Sequence, residues 1–293
     1  MRIMGSTREQ DEVVVAAING RASISLRVTG RARHGNLGGA IFAEWADGRP
    51  AVVTRFLGSL AEAERTAEVL SYARARGAPV PRHELVVDLG DRVMFVQERL
   101  PSMPDRLTPA RVEAIVEIND RFAGALADRP DVPVCPLYLD PGDDPRYEIL
   151  AKYSPRSRRI RDAIVEIANH KSPPAPDTDL LHVDLSAANV LFDENDAAVA
   201  VVDWNLGVCR GDRLFALVKT RFDREWFVRA PDADPVENAA ATHLDEILAA
   251  RISADVLRRY WAAWLLYQLH RALPGESTAV IDWHLDLAEA RLR

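Results

Sequence analysis

Residues 181–204, LHVDLSAANVLFDENDAAVAVVDW, constrain the rest of the chain more than any other stretch. An apolar run leads into His182; Asp184 follows, then Asn189 directly before Val190, Leu191 and Phe192, which read as a strand. Asp193, Glu194, Asn195 and Asp196 carry turn chemistry, and residues 197–202 return as a second strand that ends on Asp203. A hairpin of this kind can gather Asp184, Asn189 and Asp203 around one point. That set offers a carboxylate to accept a hydroxyl proton, and a carboxamide with a second carboxylate to hold magnesium, the parts that phosphoryl transfer needs. The alternative is a polar turn, with Asn189 and Asp193 as turn residues and His182 as a core histidine. That reading leaves the joint spacing of the four groups unexplained.

On these residues the sequence resembles the aminoglycoside phosphotransferase and choline kinase-like enzymes, relatives of the protein kinases. HVDLSAANVLF is similar to their catalytic loop and VVDWN to their metal-binding strand end. The resemblance implies an α+β, bilobal, protein kinase-like fold with a small sheet-containing N-lobe, residues 1–97, and a mainly helical C-lobe, residues 98–293. It also implies transfer of the γ-phosphoryl group of ATP or GTP, with magnesium, to a hydroxyl of a small molecule. Asp184 would be the general base, His182 the brace of the loop, and Asn189 and Asp203 the metal ligands. The family pattern is His-Gly-Asp; here Val183 replaces the glycine, and being β-branched it requires an ordinary backbone conformation there. In GDRLFALVK, residues 211–219, Ala216 stands where the family has a second aspartate, which we read as structural.

The chain has 293 residues, enough for two lobes, and its 48% hydrophobic and 28% charged content is that of a soluble globular protein. A net charge of -7 argues against a nucleic-acid or anionic-membrane binder, and it would favour a cationic small-molecule partner if the acidity were concentrated at the site. Cys135 and Cys209 have neither metal-ligand spacing nor a disulfide framework, and the first 20 residues carry charges around only a short apolar run, Val13 to Ile18. A reduced, cytoplasmic protein is the expectation.

The first hundred residues read as a small sheet. Strands are expected at Ser23 to Thr29, Ala40 to Trp45 and Ala51 to Phe56, with Asp47-Gly48 turning between the last two, and a further pair around Gly90-Asp91. Ala61 to Arg76 has helical spacing and ends at GAPVP. Between the first two strands lies GRARHGNLGG, residues 30–39. Its glycines and Arg31, Arg33 and His34 suit a loop over a phosphate, and equally a plain hairpin loop. FVQERLP, residues 95–101, resembles the family's inter-lobe segment, which implies that Gln97 and Leu100 lie beside the nucleotide.

Lysine is absent from this half of the chain; Lys152, Lys171 and Lys219 are the only three. The family places a lysine on the third strand against the phosphates, paired with a helix glutamate. In VVTRF that position falls at Thr54 or Arg55 depending on register, and the partner at Glu62, Glu64 or Glu68. Arg55 is the expected substitute, with Arg31 and Arg33 on the loop. Arginine is longer and forked, so the exchange is not conservative. A nucleotide-binding pseudokinase without catalysis is the rival reading, opposed by the intact Asp184, Asn189 and Asp203.

The rest should be mainly helical. Pro109 to Asp128 is amphipathic, 130–145 is a proline- and aspartate-rich connection, and 156–170 is a helix opening with four arginines, either a solvated basic face or an anion contact. Asp255 to Leu273 carries an aromatic stripe that reads as core, and Asp282 to Arg291 a last helix. Between Asp223 and Glu246 acidic residues are dense; in the family such carboxylates bind acceptor amines, and a solvated surface is the other reading. The favoured acceptor is an aminoglycoside or related antibiotic, then a metabolic alcohol such as a sugar, choline or homoserine.

Overall fold

The computed structural model describes residues 8–32, 39–101, 103, 106–142, 144–170, 177–228, 230 and 232–293. They form two compact units: Met1–Arg106 with Glu113–Pro133 and Thr178–Arg213, and Leu107–Val112 with Val134–Asp177 and Leu214–Arg293.

The first unit is built on a five-stranded antiparallel sheet, order β1-β2-β3-β5-β4, from β1 (Leu26–Arg31), β2 (Ile41–Trp45), β3 (Pro50–Phe56), β4 (His83–Asp88) and β5 (Val93–Glu98). Gly48 takes φ = 85° in the β2–β3 turn and Gly90 φ = 90° in the β4–β5 turn, left-handed positions that glycine accepts without steric cost. Strand alternation divides the sheet into two faces. Ala51 and Val53 of β3, with Met94 and Val96 of β5, pack on Val15 and Ile18 of helix α1 (Arg8–Ala22). Phe56 of β3 and Val93 and Phe95 of β5 pack on Ala63 of α2 (Leu60–Ala75). Ser59 starts α2 through a capping box with Glu62, and Gly77 at φ = 89° follows its end.

Helix α1 is absent from the sequence expectation and displaces the first strand toward the C-terminus. The chain leaves the helix through Ser23 at φ = 54°, and the Asn19 amide ties back to both the N–H and C=O of Leu26 at 2.8 Å. The helix expected through Asp128 ends earlier, as α3 (Pro109–Asp120), followed by turns that include Gly124 at φ = 61°. Those turns pair with the chain entering β6 (Asp179–Leu181): the Leu126 N–H donates to Thr178 O and the Leu180 N–H to Phe122 O, so these groups bond across the chain. The aspartate- and proline-rich connection ends in a helix the pattern did not reveal, α4 (Pro145–Tyr153), opened by the Asp144 cap and Pro145.

The second unit is helical: α4, α5 (Pro155–Asn169), α6 (Arg213–Val228), α7 (Pro235–Arg251), α8 (Ala254–Ala272) and α9 (Thr278–Arg291). Tyr260, Trp261, Leu265 and Leu269 of α8 are buried, so the aromatic stripe is core, and Trp264 stacks on Phe215 at 4.8 Å. Of the arginines that open α5, Arg156 pairs with Asp286 and Glu289 of α9. No described helix is long and apolar enough to cross a membrane.

Candidate active site

Three short pieces of backbone carry the site, all within the first unit. Strand β6 pairs with β9 (Cys209–Gly211) and delivers the chain to His182; a single 3-10 turn, Ala187–Asn189, precedes β7 (Val190–Phe192), which pairs with β8 (Ala198–Val201). The Asp193 carboxylate closes the hairpin turn by accepting from the N–H groups of Asn195 and Ala197.

His182 is 2% exposed and joins the two functional segments. Its Nδ1 accepts from the Asp184 N–H at 3.2 Å, so the ring proton sits on Nε2, which donates to Val202 O at 2.9 Å. Trp204 packs edge-on against the imidazole, 4.4 Å between centroids, and donates its own N–H to Val201 O. Asn189 adds two more ties: its Nδ2 donates to Asp184 O at 2.8 Å, and its C=O accepts from the Val202 N–H at 2.8 Å. Asp184, Asn189 and Val202, the residue before Asp203, are thereby tied to one another by side-chain and backbone hydrogen bonds. The structure brings the segments that carry the three residues expected from the sequence together, and the His182 ring bonds to both. Val183 has no positive φ; the strained position is Asp203, at φ = 65°.

The Asp203 carboxyl keeps solvent-accessible surface yet lies among dense protein. Lost hydration, and after it the Asp184 carboxylate, raise its pKa, while a hydrogen bond from Asn205 lowers it. Two neighbouring carboxylates of this kind form a site that a cation relieves. The Asn189 Nδ2 is spent on Asp184 O, which leaves the amide oxygen as the atom that could accept a cation. No group of three or more His, Cys, Asp or Glu that could hold a metal occurs among the described residues. A magnesium ion bound by Asn189 and Asp203 would therefore draw its other ligands from phosphate and water.

The described residues expected around the phosphates are spread over β1, β3 and the end of β5. Thr54 lies on the α2 face of β3, and its hydroxyl donates to Asn205 Oδ1 at 3.0 Å. Arg55, one residue on, is exposed on the other face and lines a surface recess of about 410 Å³ with Leu57, Gly58, Asp88, Asp91 and Arg92. Alternation thus keeps Arg55 apart from Asp184, Asn189 and Asp203. The Arg31 guanidinium pairs with the buried Asp11 of α1. Arg33 and His34 lie outside the described residues. The buried Gln97 side chain donates to the Thr54 hydroxyl at 3.4 Å, and Leu100 is half-buried just past β5. None of the three α2 glutamates faces β3: Glu62 is in the capping box, Glu64 is exposed, and Glu68 pairs with Arg129 at 3.0 Å. Asn205 escaped the sequence reading; its only signal was an amide two residues past Asp203.

The acidic stretch in the second unit is largely consumed internally. Asp223 pairs with Lys219 at 2.7 Å, Glu225 and Asp245 share Arg221 and Arg291, and Asp234 caps α7.

A model of the phosphotransferase enzyme family matches residues 31–252, most of the chain and all of this site. The chain belongs to the phosphotransferase enzyme family. Among solved structures, a thermostable mutant of aminoglycoside phosphotransferase APH(4)-Ia has 17% identity over 95% of this chain and 98% of that one, with a TM-score of 0.69. Choline kinase LicA from Streptococcus pneumoniae has 14% identity over 97% and 99% of the two chains and a TM-score of 0.58. Macrolide 2'-phosphotransferase MphH from Brachybacterium faecium has 18% identity over 96% and 98%, with a TM-score of 0.52. Among curated proteins none matches. At these identities the likeness establishes the kinase-like fold, and the family establishes a phosphotransferase.

Proposed function

We propose that this phosphotransferase moves the γ-phosphoryl group of ATP or GTP onto a hydroxyl of a small molecule, with an aminoglycoside or related antibiotic as acceptor. The reading is carried by one observation: His182 and Asn189 hold the backbones of Asp184 and of Val202, the residue before Asp203, in a single hydrogen-bonded frame. Asp184 orients the acceptor hydroxyl and takes its proton as the oxygen bonds to the γ-phosphorus. The bond from that phosphorus to the β,γ-bridging oxygen breaks, and the nucleoside diphosphate leaves. Asn189 Oδ1 and the Asp203 carboxylate would hold magnesium, which when bound supplies positive charge to the phosphates. A rigid frame suits this chemistry, since positioning and charge stabilisation provide most of the rate in phosphoryl transfer. The supply of nucleoside triphosphate puts the reaction in the cytoplasm, residues 1–97 serving as the nucleotide lobe and 98–293 as the lobe for catalysis and acceptor.

One observation favours a second acceptor class. With Asp223, Glu225 and Asp245 already neutralised by Lys219, Arg221 and Arg291, the acidic stretch offers less charge to a polyamine than its sequence suggests, which suits a metabolic alcohol with at most one cationic group, such as a sugar, choline or homoserine. Incubation with ATP or GTP and magnesium against a panel of aminoglycosides, macrolides, sugars, choline and homoserine, with detection of a gained phosphoryl group by mass, separates the two. Product from any member supports the kinase. No product, together with no nucleotide-induced thermal shift, overturns it in favour of a non-catalytic protein.

A further inference from the structure

Asp203 is held from the sheet as well as from its own hairpin. Its carboxylate accepts from Asn205 Nδ2; Asn205 Oδ1 accepts from the Thr54 hydroxyl at 3.0 Å; and the Thr54 oxygen accepts from Gln97 Nε2 at 3.4 Å. An ionised carboxylate only accepts, so Asn205 must turn its NH2 to Asp203 and its oxygen to Thr54, and Thr54 must donate. The chain therefore has one direction, from Gln97 of β5 through Thr54 of β3 to Asp203. A second bond fixes Asn205 to the same strand end: the Leu57 N–H donates to its C=O at 3.0 Å. A serine or threonine hydroxyl serves here because it donates and accepts at once; a lysine ammonium only donates and would bond Asp203 or Asn205 as an end point. Valine at 54 has nearly the same shape and neither hydrogen bond.

We propose that Thr54 and Asn205 are positioning residues that aim the Asp203 carboxylate at the metal–nucleotide complex from strand β3. The inference rests on the reading of Asp203 as a magnesium ligand. Asp203 sits in a left-handed backbone conformation, which aspartate adopts more readily than most residues, and the Asn205 amide two residues downstream bonds the carboxylate that this conformation presents. Releasing the side chain lets the carboxylate swing toward solvent, so the cost appears in metal-dependent nucleotide binding while the sheet remains paired.

The test is the magnesium concentration that half-saturates binding of ATP, and separately of GTP, measured with the full chain. The loss of one hydrogen bond at the upper end of the usual range is worth about tenfold. Thr54→Val and Asn205→Ala should raise the half-saturating magnesium about tenfold, Thr54→Ser should stay within about twofold of wild type, and Asp203→Ala should abolish the dependence. A β-branched valine is well suited to a strand, so Thr54→Val folds, and the serine variant separates loss of the hydroxyl from loss of packing. A Thr54→Val protein with wild-type magnesium dependence overturns the inference, as does a Thr54→Ser protein as weak as the valine variant. If the wild type binds neither nucleotide, or Asp203→Ala binds as the wild type does, the proposed function itself fails and the inference falls with it.

Discussion

Replacing His182 with alanine removes a side chain that bonds to both functional segments. The mutation leaves the Asp184 N–H and the Val202 C=O without their partners, in a place where the imidazole is 2% exposed and packed 4.4 Å from Trp204. Each stranded, part-buried group costs about 1 kcal/mol, at the low end of the range for buried ones, and the lost ring contact adds to this. Water entering the space recovers part of the loss, so a net destabilisation of about 3 kcal/mol is expected. For a unit of this size about 2–4 °C per kcal/mol applies, which gives a fall in Tm of roughly 6–12 °C. Differential scanning fluorimetry reads this directly, and hydrogen exchange at the Asp184 amide should lose protection ahead of the sheet amides. Turnover should fall by about tenfold or more below the melting range, because the backbone of Asp184 and that preceding Asp203 lose their common anchor. Glutamine at 182 keeps one donor but not both bonds and should lie between. A Tm lowered by less than about 3 °C with unchanged turnover would refute the bracing role.

Asp184→Asn should keep the melting temperature and the affinity for magnesium–ATP while lowering turnover about 10² to 10⁴-fold, since the carboxamide cannot take the proton; wild-type turnover would remove Asp184 from the mechanism. Arg55→Ala should leave nucleotide affinity within about twofold, because Arg55 is exposed on the face of β3 opposite Thr54; a loss of about tenfold in an equilibrium titration would show that the phosphates lie on that face. Burial holds the His83 pKa down to about 4, from an ordinary 6.5 in the unfolded chain, so the unfolded state binds more protons between these values. Its contribution to stability is complete above about pH 6.5 and is lost as pH falls toward about 4, costing about 2 kcal/mol between about pH 7 and pH 5. Denaturant unfolding at the two pH values should show His83→Gln losing less stability than wild type; an equal loss in both would exclude His83 as a source.

The hairpin from His182 to Asp203 was legible in the sequence because its determinants are local: apolar strands, an aspartate-rich turn, and polar residues at spacings that a hairpin brings together. The β2–β3 turn at Asp47-Gly48 and the start of α2 were legible for the same reason, each set by a few neighbouring residues. Which of Thr54 and Arg55 faces Asp203 was not, because a one-residue change of register exchanges the faces of a strand without altering its composition. Packing decided it, by burying Ala51 and Val53 against α1 and thereby sending Thr54 to the other side. The fate of the acidic residues was equally hidden. Glu225 and Asp245 look alike as acceptor ligands or as solvated charges until α9 brings Arg291 from far along the chain to neutralise them. Residue chemistry and short-range spacing therefore determined which groups are available for catalysis. Long-range packing decided which of them meet, because only the folded chain sets strand faces and joins charges far apart in sequence.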